Sequence, residues 1–400
     1  MKKNILIAHG GGPTTVINAS LYGVLDEAAR YSGQFGKIYG AAHGIEGVLG
    51  DDLLDLSQES PEQIALLPFT PSSAIGTCRR KLTEADYPRI LEIFKKYHIG
   101  YFFYNGGNDS MDTCNKIEQM AKQSGYELSA IGIPKTIDND LDLTDHCPGY
   151  GSAARFIANN TRDLWMEVQA NPMYVTVMET MGRNAGWLTA AASLPLYNGK
   201  PCTQLIYLPE RTFNKESFLA DVDNLLSRQR EILIVVSEGL RDDTGNMISD
   251  LGMVDGFGHK LAGGSAQVLC DLISANLGVR ARAERHGFLG RASMVMQSAQ
   301  DRQEAIDAGR HALRLAMSGR SGVMAAIRRE SDSPYAYSMT EVPLEQVANR
   351  EKMFPVEWIN AQGNGVTEAF RTYCTPLIGE PFPPYTVLKK IPPVVPVSGD

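Results

Sequence analysis

The sequence of 400 residues lacks the patterns that mark several common protein classes. Its six cysteines contain no Cys-x-x-Cys pair and its seven histidines no His-Glu-x-x-His motif, so neither a zinc ribbon nor a redox dithiol is indicated. No apolar run approaches the roughly 20 residues that span a bilayer. The run at residues 5–8 is far shorter than the apolar core of a signal peptide. A soluble cytoplasmic protein with reduced thiols and no membrane partner is expected.

A basic charge balance and the familiar nucleotide motifs are also missing. The formal net charge is −8, which argues against a nucleic-acid partner. Neither Gly-x-Gly-x-x-Gly nor Gly-x-x-x-x-Gly-Lys-Ser/Thr occurs, which disfavours a dehydrogenase and a P-loop enzyme. The length is ample for a buried core and suggests two domains or one large α/β unit.

The chain contains repeated strand–turn–helix patterns. An apolar run at residues 4–9 precedes a glycine turn at 10–15 and helical spacing at 16–30. Such a turn suits an anion, although it could equally be only a tight turn. Four repeats of this kind place polar loops along one edge of a parallel sheet. The fold class predicted is therefore α/β, with two Rossmann-like doubly wound lobes that face a central cleft.

The predicted elements cover both halves of the chain. The predicted strands are residues 4–9, 38–42, 99–104, 128–133, 173–178, 204–208 and 232–237, and the predicted helices are residues 16–30, 88–97, 110–123 and 151–168. Asp109 or Ser110 is expected to cap the helix at 110–123. Some of the arginines within 279–291 are expected on an exposed helix face. The proline-rich tail, residues 381–400, is expected to be irregular.

Two loops combine the residue types that phosphoryl transfer needs. The first reads Gly-Gly-Asn-Asp-Ser at residues 106–110, and the second reads Pro-Lys-Thr-Ile-Asp-Asn-Asp at residues 134–140. In the second loop one of Asp138 and Asp140 could hold Mg²⁺ while the other accepts a proton. Lys135 adds positive charge beside them. A polar turn with local hydrogen bonds is the alternative. The three cations at 79–81 could likewise clamp a phosphate or form a solvated surface.

In order along the chain, five stretches resemble the signature loops of the phosphofructokinases. They are Gly-Gly at 11–12, the loop at 106–110, the loop at 134–140, Met-Gly-Arg-Asn-Ala-Gly at 181–186 and Ser-Glu-Gly at 237–239. The resemblance spans residues 4–320 and is strongest to the pyrophosphate-dependent branch. It implies the phosphofructokinase fold and phosphoryl transfer from pyrophosphate to the 1-hydroxyl of fructose 6-phosphate, with Mg²⁺ as cofactor.

The resemblance also assigns roles to individual residues. It makes Asp138 the general base and places Asp109 and Asp140 at the metal. The other catalytic residues that it implies are Lys135, Thr136 and Arg183. The donor-binding residues that it implies are Gly11, Gly12, Arg79, Gly107, Asn108, Asp109 and Lys135. The sugar-phosphate-binding residues that it implies are Thr136, Asp138, Met181, Gly182, Arg183, Glu238, Arg282, Phe288 and Arg291.

Five positions depart from the patterns of family members. Asn108 replaces the family's usual aspartate, so one expected metal ligand is either weakened or moved to Asp109. Tyr174 replaces an arginine that reaches across a subunit interface in ATP-dependent bacterial members, and Phe288 replaces a histidine near the 6-phosphate. Asp109 and Lys135 stand where ATP-dependent relatives have glycine. Both side chains would fill the space of the longer donor, which favours pyrophosphate.

The same resemblance predicts the domain organisation. Residues 1–150 with a return segment at about 300–345 would form the donor lobe, and residues 151–299 with 346–400 the sugar-phosphate lobe. A homodimer or homotetramer is expected. The alternatives are an ATP-dependent phosphofructokinase, sedoheptulose 7-phosphate as acceptor, and a catalytically silent regulatory subunit. A lipid or NAD kinase would share a Gly-Gly-Asp turn but not the loops at 134–140 and 181–186.

Overall fold

The computed structural model describes residues 2–172, 175–254, 260–262 and 264–389. Its strands are β1 (Asn4–His9), β2 (Ile38–Ala41), β3 (Leu53–Asp55), β4 (Ile99–Gly106), β5 (Ser129–Pro134), β6 (Val175–Thr180), β7 (Leu196–Tyr197), β8 (Lys200–Pro201), β9 (Leu205–Tyr207), β10 (Ile232–Ser237), β11 (Asp250–Val254), β12 (Lys260–Ala262), β13 (Ala281–Arg285), β14 (Val323–Asp332) and β15 (Tyr335–Pro343). Its α-helices are α1 (Ile17–Arg30), α2 (Ile45–Gly50), α3 (Pro61–Leu66), α4 (Tyr87–Lys96), α5 (Asn108–Gln123), α6 (Tyr150–Ala170), α7 (Trp187–Ala190), α8 (Lys215–Leu226), α9 (Ser265–Leu277), α10 (Leu289–Ala292), α11 (Ala299–Met317), α12 (Leu344–Val347) and α13 (Glu368–Cys374).

A seven-stranded sheet in the order β15-β14-β5-β4-β1-β2-β3 forms the larger layer. Its central strands are parallel, and β3 and β15 pair antiparallel at the two edges. Ile5 and Ile7 of β1 pack with α1 and α11, whereas Leu6 and Ala8 pack with α4 and α5 on the other face. Both faces of this strand are therefore covered, which is why its sequence is a continuous apolar run.

A second sheet of four parallel strands has the order β13-β6-β10-β9. Val175 and Val177 of β6 pack with α8 and α9 on one face, and Met178 packs with α6 on the other. The first sheet uses residues from 4–134 and 323–343, and the second uses residues from 175–285. The donor and sugar roles of the two halves remain predictions.

Several predicted elements are confirmed within one to three residues at each end. The predicted strand at 232–237 coincides with β10, and the helices at 16–30, 88–97 and 151–168 correspond to α1, α4 and α6. For the strand predicted at 173–178, residues 173 and 174 lie outside the described part, and β6 runs from Val175 to Thr180. The hairpin β14–β15 and helix α11 were not predicted, because they follow the last recognisable motif.

Two local predictions were wrong. Helix α5 begins at Asn108 with Gly107 as its N-cap, so neither Asp109 nor Ser110 caps it. The reason is that the carbonyl oxygen of Gly107 already accepts hydrogen bonds from the amides of Ser110 and Met111. The arginines within 279–291 do not share a helix face, because residues 281–285 form a partly exposed edge strand and only the short α10 follows.

The tail is irregular from residue 381 to 389, as predicted, and it packs on the body. Arg162 of α6 donates to the carbonyl oxygen of Pro383 at 2.7 Å and lies 3.9 Å from the ring centre of Tyr385. Residues 390–400 lie outside the described part. Within the described ranges, no helix combines the length and apolar character needed to cross a bilayer.

Candidate active site

The carboxyl ends of β1, β4 and β5 meet at one edge of the larger sheet, because Ala8 pairs with Tyr104 and Asn105 with Ile133 in parallel register. The loops that follow these strands face loops after β6 and β10 across a cavity of about 590 Å³. Its lining residues are Gly11, Gly12, Arg79, Gly107, Asn108, Asp109, Ser110, Lys135, Thr136, Ile137, Asp138, Asp140, Met181, Arg183, Asn184, Ala185, Glu238, Arg291, Asn349 and Glu351.

Positive charge is concentrated at the glycine turn after β1. The buried ammonium of Lys135 donates to the carbonyl oxygens of Gly10 at 2.8 Å and Gly12 at 2.7 Å. A Cβ on Gly12 would lie 2.4 Å from Nη1 of Arg291 and 3.3 Å from Nη2 of Arg79. Burial and the charges of Arg291 and Arg79 lower the pKa of Lys135 to about 7. An anion bound here would compensate the mutual repulsion of three cations.

Asp138 lies opposite this turn in the same cavity. Burial raises the pKa of its carboxyl group to about 7, with further contributions from the charges of Asp140 and Glu238, while Arg183 and Arg291 act in the opposite direction. A carboxylate with this pKa is matched to proton transfer near neutral pH. Such a group in a cleft is a candidate catalytic base.

The loop that carries Asp138 is fixed by buried polar contacts. Asn139 has a positive φ of 55° and is fully buried. Its amide donates to the hydroxyl of Tyr373 at 2.9 Å and accepts from the backbone N–H of Cys147 at 3.0 Å. The backbone N–H of Asp138 donates to Oγ1 of Thr136 at 3.1 Å. Because Asn139 is anchored inward, its neighbours Asp138 and Asp140 are turned toward the cavity.

Oxygen atoms suited to a divalent cation also line the cavity. Oδ1 of Asp140 and Oδ1 of Asn108 are buried, and neither has a hydrogen-bond partner among the described residues. Burial raises the pKa of Asp140. In the described part of the chain no three His, Cys, Asp or Glu residues are grouped closely enough to enclose a metal. Mg²⁺ needs no such cage, since it commonly binds one or two carboxylates together with substrate phosphates and water.

The opposite wall is built by the loops after β6 and β10. Oε1 of Glu238 accepts from the backbone N–H of Gly182 at 3.4 Å, and burial raises the pKa of Glu238. A Cβ on Gly239 would lie only 1.7 Å from the carbonyl oxygen of Arg183. The two loops are therefore in close contact, which sets the position of Arg183 in the cavity wall.

Three of the predicted sugar-phosphate residues lie outside the cavity wall. Gly182 donates its backbone N–H to Glu238, and its carbonyl oxygen accepts from the hydroxyl of Ser237. Arg282 extends from β13 with 62% of its side chain exposed and pairs with Glu284 at 2.6 Å. Phe288 is 72% exposed, and its ring centre lies 4.6 Å from the guanidinium of Arg291. All three roles remain predictions. Tyr174 lies outside the described residues.

Sequence reasoning missed the residues that the C-terminal half brings to the cavity. Asn349 and Glu351 line it, and both oxygens of Glu351 accept from Nδ2 of Asn184, at 3.1 and 3.2 Å. Lys352 is the next residue, and its ammonium donates to the carbonyl oxygens of Thr144 at 3.1 Å and Asp145 at 2.8 Å. These residues follow the last recognisable motif by more than 100 positions, so no local pattern indicated them.

Two lobes built on parallel sheets, with cations and a perturbed carboxylate converging in one cleft, define an enzyme of the phosphotransferase class. A family model described as Phosphofructokinase matches residues 4–316. The chain belongs to the phosphofructokinase family.

Individual relatives cover nearly the whole chain. A protein of Methylococcus capsulatus named pyrophosphate–fructose 6-phosphate 1-phosphotransferase is 44% identical over 96% of this chain and 93% of its own length. A protein of Halomonas elongata with the same name is 42% identical over the same shares. The crystal structure of a pyrophosphate-dependent phosphofructokinase from Marinobacter aquaeolei is 37% identical, covers 98% of both chains and has a TM-score of 0.86. The predicted phosphofructokinase fold is thereby confirmed.

Proposed function

We propose that the chain transfers a phosphoryl group from pyrophosphate to the 1-hydroxyl of fructose 6-phosphate, in a reversible reaction that gives fructose 1,6-bisphosphate and phosphate. One observation carries the proposal. Asp138, whose carboxyl pKa is about 7, shares a cavity with a turn surrounded by Lys135, Arg79 and Arg291. The names of the relatives support pyrophosphate as donor and fructose 6-phosphate as acceptor.

The donor lies at the glycine turn in this proposal. Gly11 leaves room for its phosphates, and the backbone N–H of Gly12 and the charges of Lys135 and Arg79 neutralise them. Gly107, Asn108 and Asp109 form the adjoining wall. The carboxylate of Asp109 and the buried stem of Lys135 occupy the space that a nucleoside triphosphate would need, so the short donor is preferred.

The acceptor lies against the loops after β6 and β10, with Met181, Arg183 and Glu238 around the sugar and Arg291 at its phosphate. Asp138 takes the proton of the 1-hydroxyl. The hydroxyl oxygen forms a bond to the nearer phosphorus as the bond between that phosphorus and the bridging oxygen of pyrophosphate breaks, and phosphate leaves. Lys135 and Arg183 stabilise the charge that develops on the transferred group.

Mg²⁺ completes the proposal as the cofactor, with Asp140 among its ligands. Held there, the cation would supply positive charge that neutralises the phosphates. Thr136 holds the backbone of Asp138 through its hydroxyl oxygen and so keeps the base in place.

Assembly and location are part of the same proposal. The exposed apolar side chains of Phe288, Leu289 and Val295 support a contact with a second copy, in a homodimer or homotetramer. The six cysteines form no disulfide in the structure, which supports the reducing cytoplasm as the compartment.

The test is an assay of the purified full chain with Mg²⁺ and each pairing of two donors with two acceptors. Pyrophosphate and ATP are the donors, and fructose 6-phosphate and sedoheptulose 7-phosphate are the acceptors. We expect the forward reaction of pyrophosphate with fructose 6-phosphate to form fructose 1,6-bisphosphate. We expect the reverse reaction of fructose 1,6-bisphosphate with phosphate to form pyrophosphate. Product formed with ATP but not with pyrophosphate would contradict pyrophosphate as the donor. A higher kcat/KM for sedoheptulose 7-phosphate than for fructose 6-phosphate would contradict fructose 6-phosphate as the acceptor.

A further inference from the structure

Residue 108 carries an amide at a position where the resembled family usually has a carboxylate. Nδ2 of Asn108 donates a short hydrogen bond to the backbone carbonyl oxygen of Arg350. A carboxylate could not make this contact, because it would place two acceptors against each other. The contact also turns Oδ1 of Asn108 to a buried position without a hydrogen-bond partner among the described residues. The amide therefore fastens the segment at 349–352 and leaves one neutral oxygen available.

The residue after Arg350 brings a carboxylate to the same cavity. Glu351 pairs with Leu141 in an isolated antiparallel bridge, and the backbone N–H of Lys352 donates to the carbonyl oxygen of Asp140 at 2.8 Å. The segment thus runs directly beside the loop that carries Asp140. Both carboxylates line the cavity, where Oδ1 of Asp140 is buried and Glu351 is exposed. Two carboxylates that share a cavity repel each other, and a cation bound between them would offset that repulsion.

We propose that Glu351 supplies to the divalent-cation site the negative charge that residue 108 lacks. Asp140 is then the second carboxylate, and Oδ1 of Asn108 is a neutral oxygen ligand. Six oxygen ligands suit Mg²⁺, so three from the protein leave room for donor phosphate oxygens and water. The inference rests on the proposed Mg²⁺-dependent transfer and adds to it a ligand that follows the family's signature loops by more than 100 residues.

The contact with Asn184 does not require the charge of Glu351. A glutamine at 351 could still accept from Nδ2 of Asn184 through its amide oxygen. Glu351→Gln therefore removes the charge while it keeps the shape and this acceptor. The variant separates a role in cation binding from a role in holding the loop. Glu345→Gln is a matched control, since Glu345 is exposed on α12 and does not line the cavity.

The experiment measures Mn²⁺ binding to the full chain by electron paramagnetic resonance, with methylenediphosphonate in place of pyrophosphate and no sugar phosphate. We expect the dissociation constant for Mn²⁺ to rise about 10–100-fold in Glu351→Gln and to stay at the wild-type value in Glu345→Gln. Adding Asn108→Asp to Glu351→Gln returns a carboxylate to the cavity and should recover part of the lost affinity.

An Mn²⁺ affinity within about twofold of wild type in a folded Glu351→Gln variant would overturn the proposal. Thermal unfolding without metal shows whether the variant is folded. If Glu351→Gln is not folded, Mn²⁺ binding is measured in Glu351→Asp instead, because aspartate keeps the charge on a shorter side chain. Weaker Mn²⁺ binding by Glu351→Asp would support the proposal, and unchanged binding would overturn it. If Mn²⁺ binding depends on Glu351 but pyrophosphate donates nothing to fructose 6-phosphate, the cation site stands and the proposed function fails.

Discussion

At the scale of single residues, the chemistry of Asp138 depends on its surroundings. A carboxyl group in water titrates near pH 4, whereas burial and the nearby charges of Asp140 and Glu238 raise the pKa of Asp138 to about 7. Arg183 and Arg291 limit this rise. With this pKa, Asp138 can serve as the proposed base, since it accepts a proton readily and is still ionised for a large share of the time at neutral pH.

This pKa predicts the pH dependence of the reaction. The ionised base is lost as pH falls through about 7, so kcat/KM for fructose 6-phosphate at saturating pyrophosphate should fall below that pH. Asp138→Asn should lose about 10²–10⁴-fold in kcat with little change in KM, because the proton moves only during reaction. Asp142→Asn on the same loop is the control and should keep the wild-type profile. An Asp138→Asn variant that keeps the wild-type kcat and the wild-type pH profile would contradict the assignment of Asp138 as the base.

Donor choice is predicted to depend on two side chains that share one space. Asp109 and Lys135 both line the cavity, and Lys135 is only 3% exposed. We expect Asp109→Gly to weaken pyrophosphate use and admit some ATP, and Lys135→Gly to lower pyrophosphate activity sharply. The double variant should favour ATP more than the two single effects combined, because neighbouring sites are not additive. The measurement is the ratio of kcat/KM for the two donors.

An unchanged ratio in a folded double variant would show that the donor is selected elsewhere. A matched control is Lys3→Gly/Glu127→Gly, a salt-bridged surface pair that does not line the cavity. That variant removes the same charges from the surface and should leave the donor ratio at the wild-type value.

At the scale of elements, the connection from β5 to α6 carries the proposed base, Asp138, and the proposed metal ligand, Asp140. Tyr373 of α13 anchors it, since its hydroxyl accepts from Nδ2 of Asn139 at 2.9 Å and donates to the carbonyl oxygen of Asp145 at 2.9 Å. Asn139 is an interior residue of the loop, with no catalytic atom of its own in the cavity. Its burial explains how a loop with two acidic residues keeps one conformation.

Tyr373→Phe tests this anchoring. The change leaves the buried amide of Asn139 without its acceptor, which should cost about 1–3 kcal/mol in the free energy of unfolding. We expect kcat to fall while KM for both substrates changes little, because the base is displaced and the binding walls are not. Tyr337→Phe, which removes a hydroxyl bonded to Asp307, is the control and should retain kcat. Urea unfolding and steady-state kinetics measure the two effects, and an unchanged kcat in Tyr373→Phe would rule out the anchoring role.

At the scale of the whole molecule, the position of Arg282 bears on assembly. Its side chain is 62% exposed on β13 and lies outside the cavity of its own chain. If it holds the 6-phosphate, the simplest geometry places it in the cavity of a second copy. Closed symmetric oligomers present the same surface in each copy, so every cavity would gain one such arginine.

Mixing two inactive variants tests that geometry. Asp138→Asn lacks the base, and Arg282→Ala lacks the arginine, so each should be poorly active alone. In a mixed dimer one cavity has the base of one chain and the arginine of the other, and random pairing should restore up to about a quarter of wild-type activity. The double variant Asp138→Asn/Arg282→Ala mixed with Arg282→Ala is the control and should restore nothing. A mixture no more active than its components would place the arginine's role within one chain.

The local parts of this protein were predictable because their signals are local. The apolar run at residues 5–8 specifies a strand covered on both faces, and the glycine turn after it precedes a helix, as predicted. The loops at 106–110 and 134–140 were placed together correctly, since consecutive parallel strands end at one edge. The N-cap of α5 was misplaced by two or three residues because Gly107, which has no side chain to form a cap hydrogen bond, occupies that position.

The sequence by itself determined the α/β class, the family and the chemical types in the two phosphate loops, because periodicity and short motifs record them. Only the tertiary structure decided which distant residues complete the cavity. Glu351 and Asn349 reach it because the chain returns across the cleft after β15, and Arg282 leaves it because β13 lies at a sheet edge. Contacts between residues hundreds of positions apart depend on how the two lobes pack. A short window of sequence contains no pattern that reports such long-range packing.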